Sequence, residues 1–180
     1  DTIAECAPGI LVVVDPVMIA KGGARLLETD AVEALTKRLM PMATLVTPNV
    51  PEAEALSGVG ISDASGAEAA ARTLAQLGPD AVMIKGGHLV SETVTDFLLF
   101  GDCETKTFST PRIDTRHTHG TGCTLASAAA TGIAQGLSVL DAIARARAYV
   151  IKAIESAPGF GRGHGPINHA HTVATFETKD

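Results

Sequence analysis

The residues best suited to chemistry are Gly120, Thr121, Gly122 and Cys123, which lead into an alanine-rich stretch. Glycine permits a positive φ and lets a ligand approach the backbone closely. A helix that begins here points its free N–H groups and the positive end of its dipole at the ligand, so the segment is a candidate anion site. Because a helix N-terminus favours the thiolate form of cysteine, Cys123 is a candidate nucleophile or base. The alternative is a glycine turn followed by a small buried cysteine.

Four more polar residues follow apolar runs of the sequence, namely Asp15, Asn49, Glu52 and Lys85. The oxygen atoms of Asn49 and Glu52 suit a hydrated Mg²⁺, although the same Asn-x-x-Glu spacing predicts a helix-capping box. Lys85 precedes two glycines and suits a phosphate, or it extends into solvent from a strand end. Asp15 precedes Pro16 and either orients a metal or ends the strand in a turn. Taken singly, none of them decides between structure and function.

Short apolar runs alternate with helical patterns along the chain. Strands buried on both faces are predicted at 10–15, 43–47 and 81–85. Helical spacing predicts helices, the third with a serine cap and a glycine stop, at 29–41, 49–58, 65–78, 121–136 and 138–156. An antiparallel hairpin is predicted from 93–100 and 105–110. The pattern predicts an α/β fold with a mostly parallel central sheet, helices on both faces and a short antiparallel hairpin at its edge.

This fold class gathers the polar candidates. Asp15 follows the first predicted strand, Asn49 and Glu52 follow the second, and Lys85 follows the third. Ligands of open α/β sheets bind beyond the carboxyl ends of the strands. We therefore expect these four side chains along one edge of the sheet.

Composition restricts the function classes. The 180 residues fit one domain, and 14 basic against 20 acidic residues give a net charge of −6. This balance argues against a nucleic-acid partner and permits a small anionic ligand. Cys6, Cys103 and Cys123 form no C-x-x-C pair, which predicts reduced thiols in the cytoplasm. No apolar run approaches the roughly eighteen residues of a membrane span, so no membrane partner is expected.

Five segments occur in a specific order along the chain: DPVMIAKGG, TPNVPEAEAL, VMIKGGHL, THGTGCTLASA and GHGPINHAH. Together they resemble the hydroxymethylpyrimidine/phosphomethylpyrimidine kinases of thiamine biosynthesis, which belong to the ribokinase-like superfamily. The resemblance implies a cytoplasmic, homodimeric kinase that uses ATP and Mg²⁺. Its substrates would be 4-amino-5-hydroxymethyl-2-methylpyrimidine and the corresponding monophosphate. The resemblance also implies that residues 1–180 form the C-terminal portion of a single kinase domain, preceded in the family by an N-terminal segment.

The resemblance implies a catalytic role for the glycine turn. Cys123 would accept the proton of the substrate hydroxyl where sugar-kinase relatives carry an aspartate. The backbone amides around Gly120, Thr121 and Gly122 would stabilise the charge of the transferred phosphoryl group. One departure from the family pattern, His117 in RHTHGTGC, lies just before this turn and bears on the closure of a mobile loop.

The resemblance also assigns ligand contacts. Asn49 and Glu52 match the Mg–phosphate motif of the family, and Lys85 matches a phosphate contact. Asp15 would be a polar group near the active centre. The residues expected beside the pyrimidine are Val17 and Met18. A second departure from the family, Gly22 in AKGG, follows them.

Other interpretations stay open. A pyridoxal or pyridoxine kinase of the cysteine-containing type shares these signatures, because both ring substrates present a hydroxymethyl group, and a thiazole kinase matches less well. Outside the enzymes, the alternative is a noncatalytic pyrimidine-binding module. The intact set of Cys123, Asn49, Glu52 and Lys85 argues against that alternative. A covalent cysteine hydrolase is disfavoured, because no acid partner for a Cys–His pair is evident.

Overall fold

A five-stranded sheet forms the centre of the computed structural model, which describes residues 2–18, 26–89 and 91–173. The strands, which lie side by side in chain order, are β1 (Val13–Val14), β2 (Leu45–Val46), β3 (Ala81–Ile84), β4 (Thr93–Phe100) and β5 (Glu104–Pro111). β1, β2 and β3 are mutually parallel, whereas β4 runs antiparallel to both β3 and β5. Four strands therefore point in one direction, and the predicted α/β class with a mostly parallel sheet is confirmed.

Helices cover this sheet. In the described part of the chain they are α1 (Thr2–Cys6), α2 (Thr29–Ala34), α3 (Val50–Ser57), α4 (Ala64–Ala75), α5 (Thr121–Ala134) and α6 (Val139–Glu155). The helix predicted at 29–41 is composite, because α2 continues as a π-helical turn and then as a 3₁₀ turn that contains Pro41. The predicted serine cap of α4 is wrong. Asp63 caps this helix, since its carboxylate accepts the Gly66 N–H at 2.9 Å.

The parallel strands are shorter than the apolar runs that predict them. The run at 10–15 pairs with its neighbour only over β1, and Ile10 and Leu11 are exposed. Hydrophobicity indicates burial but does not fix how many residues pair, which depends on the register with the next strand. The hairpin of β4 and β5 is the longest part of the sheet, and its turn at 101–103 places Cys103 at a φ of 68°.

The core lies on both faces of the sheet, and the alternation within β3 shows why. Val82 and Ile84 pack on the side of α3 and α4, whereas Ala81 and Met83 pack on the side of α5 and α6. Burying one such large apolar side chain contributes about 1.5–3 kcal/mol. This two-sided core holds the carboxyl ends of β1, β2 and β3 in fixed positions, and the candidate residues follow those ends.

Candidate functional site

The N-terminus of α5 presents backbone N–H groups that lack intrahelical partners. Gly120 is the N-cap residue with a φ of 86°, a left-handed conformation that favours glycine. Its carbonyl accepts the Thr124 N–H at 2.9 Å and the Thr124 hydroxyl at 2.7 Å, which anchors the first turn. Gly120 supplies no side-chain cap. The amides of residues 121–123 occupy the positions that lack intrahelical partners, and they point out of the helix end.

A lysine and an aspartate face this helix end. The Lys85 ammonium donates to Asp15 Oδ1 at 2.6 Å, and the Thr47 hydroxyl donates to the same oxygen at 3.0 Å. A Cβ added to Gly122 would lie 3.2 Å from Lys85 Nζ and 3.8 Å from Asp15 Oδ2. The absence of a side chain at Gly122 therefore leaves a cradle between the helix amides and the lysine. A phosphate group fits the charge of this cradle, because a cation and a helix N-terminus both favour an anion.

Asn49 and Glu52 form the capping box that the spacing predicts. The Asn49 N–H donates to Glu52 Oε2 at 2.8 Å, and the Glu52 N–H donates to Asn49 Oδ1 at 2.9 Å. Glu52 is only 3% exposed, and burial raises the pKa of its carboxyl, opposed by the Asn49 amide and the charge of Lys85, while the charge of Asp15 adds to the increase. The buried carboxylate thus lies within the electrostatic field of the Lys85–Asp15 pair.

The donor set fits Mg²⁺ held between a carboxylate and phosphate oxygens. Across the described ranges, no group of three or more His, Cys, Asp or Glu side chains could hold a metal by itself. Mg²⁺ uses one or two protein carboxylates together with substrate phosphates and keeps several waters. Glu52, beside the phosphate cradle, suits this mode. The Asn49 amide oxygen accepts the capping bond, and its role towards a metal stays a prediction.

Cys123 is exposed, which excludes the alternative of a small buried cysteine. It is the third residue of α5 and lies at one end of a groove of about 610 Å³ between α5 and α6. Further residues that line this groove are Thr124, Ser127, Thr131, Arg145, Tyr149 and His169. A ligand held at the N-terminus of α5 therefore has an accessible thiol beside it.

The segment after β1 places the predicted substrate residues at the same edge. Val17, whose N–H donates to the Asp15 carbonyl at 2.9 Å, is 38% exposed, whereas Met18 is buried. The Met18 carbonyl accepts the Leu26 N–H at 2.8 Å. Contact of Val17 and Met18 with a pyrimidine stays a prediction, and Gly22 lies outside the described residues.

Sequence reasoning missed two features of the site. Thr47, which follows β2 and is fully buried, orients Asp15 through its hydroxyl. Like the other candidates it is a polar residue that follows a parallel strand, so its position at this sheet edge could have been predicted. The glycine-rich tail packs on the segment before α5, because a Cβ on Gly165 would lie 2.2 Å from His117 Nδ1. The His119 N–H also donates to the Gly165 carbonyl at 3.1 Å. Gly165 in GHGPINH could have indicated this close packing, because glycine allows another residue to approach the backbone.

This combination, a sheet with helices on both faces and a glycine-led helix N-terminus facing a lysine at the strand ends, defines the ribokinase-like class of α/β proteins. The structure of the pyridoxal kinase from Staphylococcus aureus in complex with AMP-PCP superimposes with a TM-score of 0.85 and 32% sequence identity. The match covers 95% of this chain and 62% of that one.

A sequence profile described as phosphomethylpyrimidine kinase matches residues 1–168, and the chain belongs to this family. The thiamine biosynthesis bifunctional protein ThiED of Geobacter sulfurreducens is 54% identical over 159 residues, which are 88% of this chain and 32% of that protein. The hydroxymethylpyrimidine/phosphomethylpyrimidine kinase of Haemophilus influenzae is 44% identical over 172 residues, which are 94% of this chain and 64% of that protein. The chain thus spans less than two thirds of the length of either relative. None of the helices in the described part of the chain combines the length and apolar character needed to cross a membrane.

Proposed function

We propose that the protein transfers a phosphoryl group from ATP, with Mg²⁺, to the hydroxymethyl group of 4-amino-5-hydroxymethyl-2-methylpyrimidine and then to the resulting monophosphate. The observation that carries this proposal is the cradle at Gly122, with Lys85 Nζ 3.2 Å from the position of an added Cβ. Membership of the phosphomethylpyrimidine kinase family supports the substrate class. The names of the relatives from Geobacter and Haemophilus support a place in thiamine biosynthesis.

The cradle supplies positioning and charge stabilisation. Phosphoryl transfer depends mainly on these two effects, because charge accumulates on the phosphoryl oxygens as the transfer proceeds. The amides around Gly120, Thr121 and Gly122 donate to those oxygens, and Lys85 provides a neighbouring cation. Asp15 and Thr47 hold the lysine in place before an anion arrives. Bound Mg²⁺, beside Glu52, would neutralise phosphate charge.

Cys123 is the proposed general base. The substrate hydroxyl oxygen forms a bond to the γ-phosphorus, its proton passes to the Cys123 Sγ, and ADP leaves with the electrons of the broken P–O bond. The thiol is exposed and belongs to the third residue of α5, beside the helix amides that would hold the phosphoryl group. Val17 and Met18 would contact the pyrimidine ring, next to Asp15.

A pyridoxal kinase is the second candidate, favoured by one observation. The pyridoxal kinase from Staphylococcus aureus shares this fold at a TM-score of 0.85. The names of the relatives at 54% and 44% identity favour the pyrimidine substrate over pyridoxal. A noncatalytic pyrimidine-binding module remains the alternative outside the enzymes.

Coupled ADP release by the purified full-length protein tests the proposal, with the hydroxymethylpyrimidine, its monophosphate and pyridoxal compared in parallel. Turnover of both pyrimidines, with pyridoxal much slower, is the expected result. Preference for pyridoxal would move the protein to the second candidate. No turnover of any of them, together with measurable pyrimidine binding, would support the binding module.

A cytoplasmic location and a homodimer belong to the same proposal. Three free, exposed cysteines support a reducing compartment, where thiols persist. The outermost strand β5 has mostly exposed residues along a sheet edge, which supports an edge contact between two copies. Sedimentation of the purified protein tests the dimer, and a monomeric mass at assay concentration would contradict it.

A further inference from the structure

Asp96 of β4 and Arg147 of α6 form a buried ion pair that contacts Gly86, the residue after Lys85. We propose that this pair positions Lys85 for the phosphate, acting through the backbone of Gly86. The inference rests on the proposed function for the role of Lys85. Asp96 and Arg147 touch no reacting group, so they are positioning residues.

The Asp96 carboxylate joins two elements. Its Oδ1 accepts the Gly86 N–H at 2.7 Å, and its Oδ2 accepts from Arg147 Nε at 3.0 Å. Asp96 and Arg147 are each 7% exposed. The Arg147 guanidinium also donates to the Phe108 carbonyl at 3.3 Å and lies 5.2 Å from the centroid of the Phe108 ring. The Gly86 amide is thus held by Asp96 of β4, which is itself held by Arg147 of α6, and Arg147 also contacts Phe108 of β5.

That amide belongs to the residue after Lys85, at the point where the chain leaves β3. The register pairs Ile84 with Phe97, and the chain then turns into the 3₁₀ segment Gly86–His88. A Cβ on Gly86 would lie 1.7 Å from the Thr95 carbonyl oxygen, so the turn packs directly on the backbone of β4. On its other side, the Lys85 N–H donates to the Pro48 carbonyl at 2.9 Å.

The backbone of Lys85 is therefore fixed on both sides, by the Pro48 carbonyl after β2 and by Asp96 of β4 through the Gly86 amide. This fixes the direction in which the lysine side chain leaves the sheet towards Asp15 and Gly122. If the Gly86 amide were not held by Asp96, the turn after β3 could rotate, and the Lys85 ammonium would move relative to the N-terminus of α5. A displacement of about 1 Å at a reacting group lowers rates by up to about a hundredfold.

The pair is better suited to positioning than to stability. Burial raises the pKa of the Asp96 carboxyl, opposed by Arg147, the Gly86 amide and the charge of Lys85. A buried ion pair contributes little net stability compared with well-packed apolar residues, because both charges lose their hydration. The apolar replacement of both partners is accordingly expected to fold, whereas the loss of one partner leaves a buried charge without compensation.

The experiment is a double-mutant cycle on ATP binding, measured by calorimetry on the full-length protein. One side of the cycle is Asp96→Ala combined with Arg147→Met, which removes the acceptor for Gly86 and leaves no unpaired charge. The other side is Lys85→Met. Glu68→Gln is the matched control, because its pair with Arg72 at 2.7 Å is exposed on α4, away from the site.

We expect the Asp96→Ala/Arg147→Met variant to raise the Kd and the KM for ATP roughly tenfold while the KM for the alcohol substrate stays unchanged. In the Lys85→Met background the same change should have no further effect. Asp96→Asn combined with Arg147→Met, which keeps an amide oxygen as acceptor for Gly86 and leaves no unpaired charge, should recover part of the loss. Unchanged ATP affinity in a folded variant, or an equal loss in the Lys85→Met background, would overturn the inference. Because the binding cycle uses ATP alone, its outcome is independent of whether the pyrimidine is the true acceptor.

Discussion

Replacing Gly122 by alanine separates the role of the cradle from the stability of the fold. Gly122 is the second residue of α5, and its φ does not belong to the left-handed region, so the backbone accepts alanine without strain. The added methyl group would meet only the end of the flexible Lys85 side chain, at 3.2 Å from Nζ, and Asp15 Oδ2 at 3.8 Å. The space that it fills is the space assigned to the phosphate.

The expected effects on stability and activity have opposite signs. Alanine is a better helix former than glycine by about 0.5–1 kcal/mol, so the unfolding free energy should stay equal or increase. Losing one charge-assisted contact between the phosphate and Lys85 or the helix amides costs about 1.5–3 kcal/mol. At about 1.4 kcal/mol per factor of ten, kcat/KM for ATP should fall roughly 10- to 100-fold.

A second glycine of the same helix provides the control. A Cβ on Gly132 would lie 2.9 Å from the Ala142 Cβ and 3.1 Å from its Cα, where α5 packs on α6. Gly132→Ala should therefore lose about 1–3 kcal/mol of unfolding free energy through overpacking, with kcat/KM for ATP close to that of the wild type. Urea denaturation and coupled ADP release measure the two quantities for both variants.

A Gly122→Ala variant that keeps full kcat/KM for ATP would contradict the placement of the phosphate in this space. A variant whose activity falls only in proportion to the fraction unfolded would contradict it equally. In either case, the space at the N-terminus of α5 would not be the phosphate site.

Three further predictions follow from the same site. Cys123→Ala should fold normally and lower kcat by about 10²–10⁴-fold while the Kd for ATP stays unchanged, and unchanged turnover would remove the base role. Burial raises the pKa of Glu52, so in EDTA the unfolding free energy of the wild type should fall relative to that of Glu52→Gln as the pH rises above 4.5. Denaturation curves between about pH 4 and 8 check this. At neutral pH, Mg²⁺ with ATP should restore the unfolding free energy of the wild type but leave that of Glu52→Gln unchanged. If the difference in unfolding free energy between the two variants were constant across this pH range, the raised pKa of Glu52 would be contradicted. Gly165→Ala should displace His117, because its Cβ would lie 2.2 Å from the imidazole Nδ1, and should raise the KM for ATP by loosening the segment before α5. A KM for ATP equal to that of the wild type, measured by ADP release, would show that packing of the glycine-rich tail does not affect the ATP site.

Local features of this protein were predictable because they depend on neighbours in the chain. The capping box of Asn49 and Glu52 needs only a spacing of three residues, and the helix start at Gly120 needs only a glycine before a run of helix formers. The α/β alternation was equally readable, because short apolar runs alternate with helical spacing along the chain. Where two nearby residues can both cap a helix, the sequence does not distinguish them. The predicted cap of α4 was a serine, and the observed cap is Asp63.

The order of the elements, and the edge of the sheet at which the polar residues lie, follow from the amino-acid sequence alone. Which of these residues contact one another depends on the folded structure. Lys85 and Asp15 are 70 residues apart, and Asp96 and Arg147 are 51 apart. Their contacts depend on the register between strands and on how α5 and α6 pack on the sheet, which are collective properties of the folded core. For this reason the turn at Gly122 and the sheet edge that carries Lys85 were predictable, whereas the 3.2 Å approach of Lys85 Nζ to the position of a Gly122 Cβ was not.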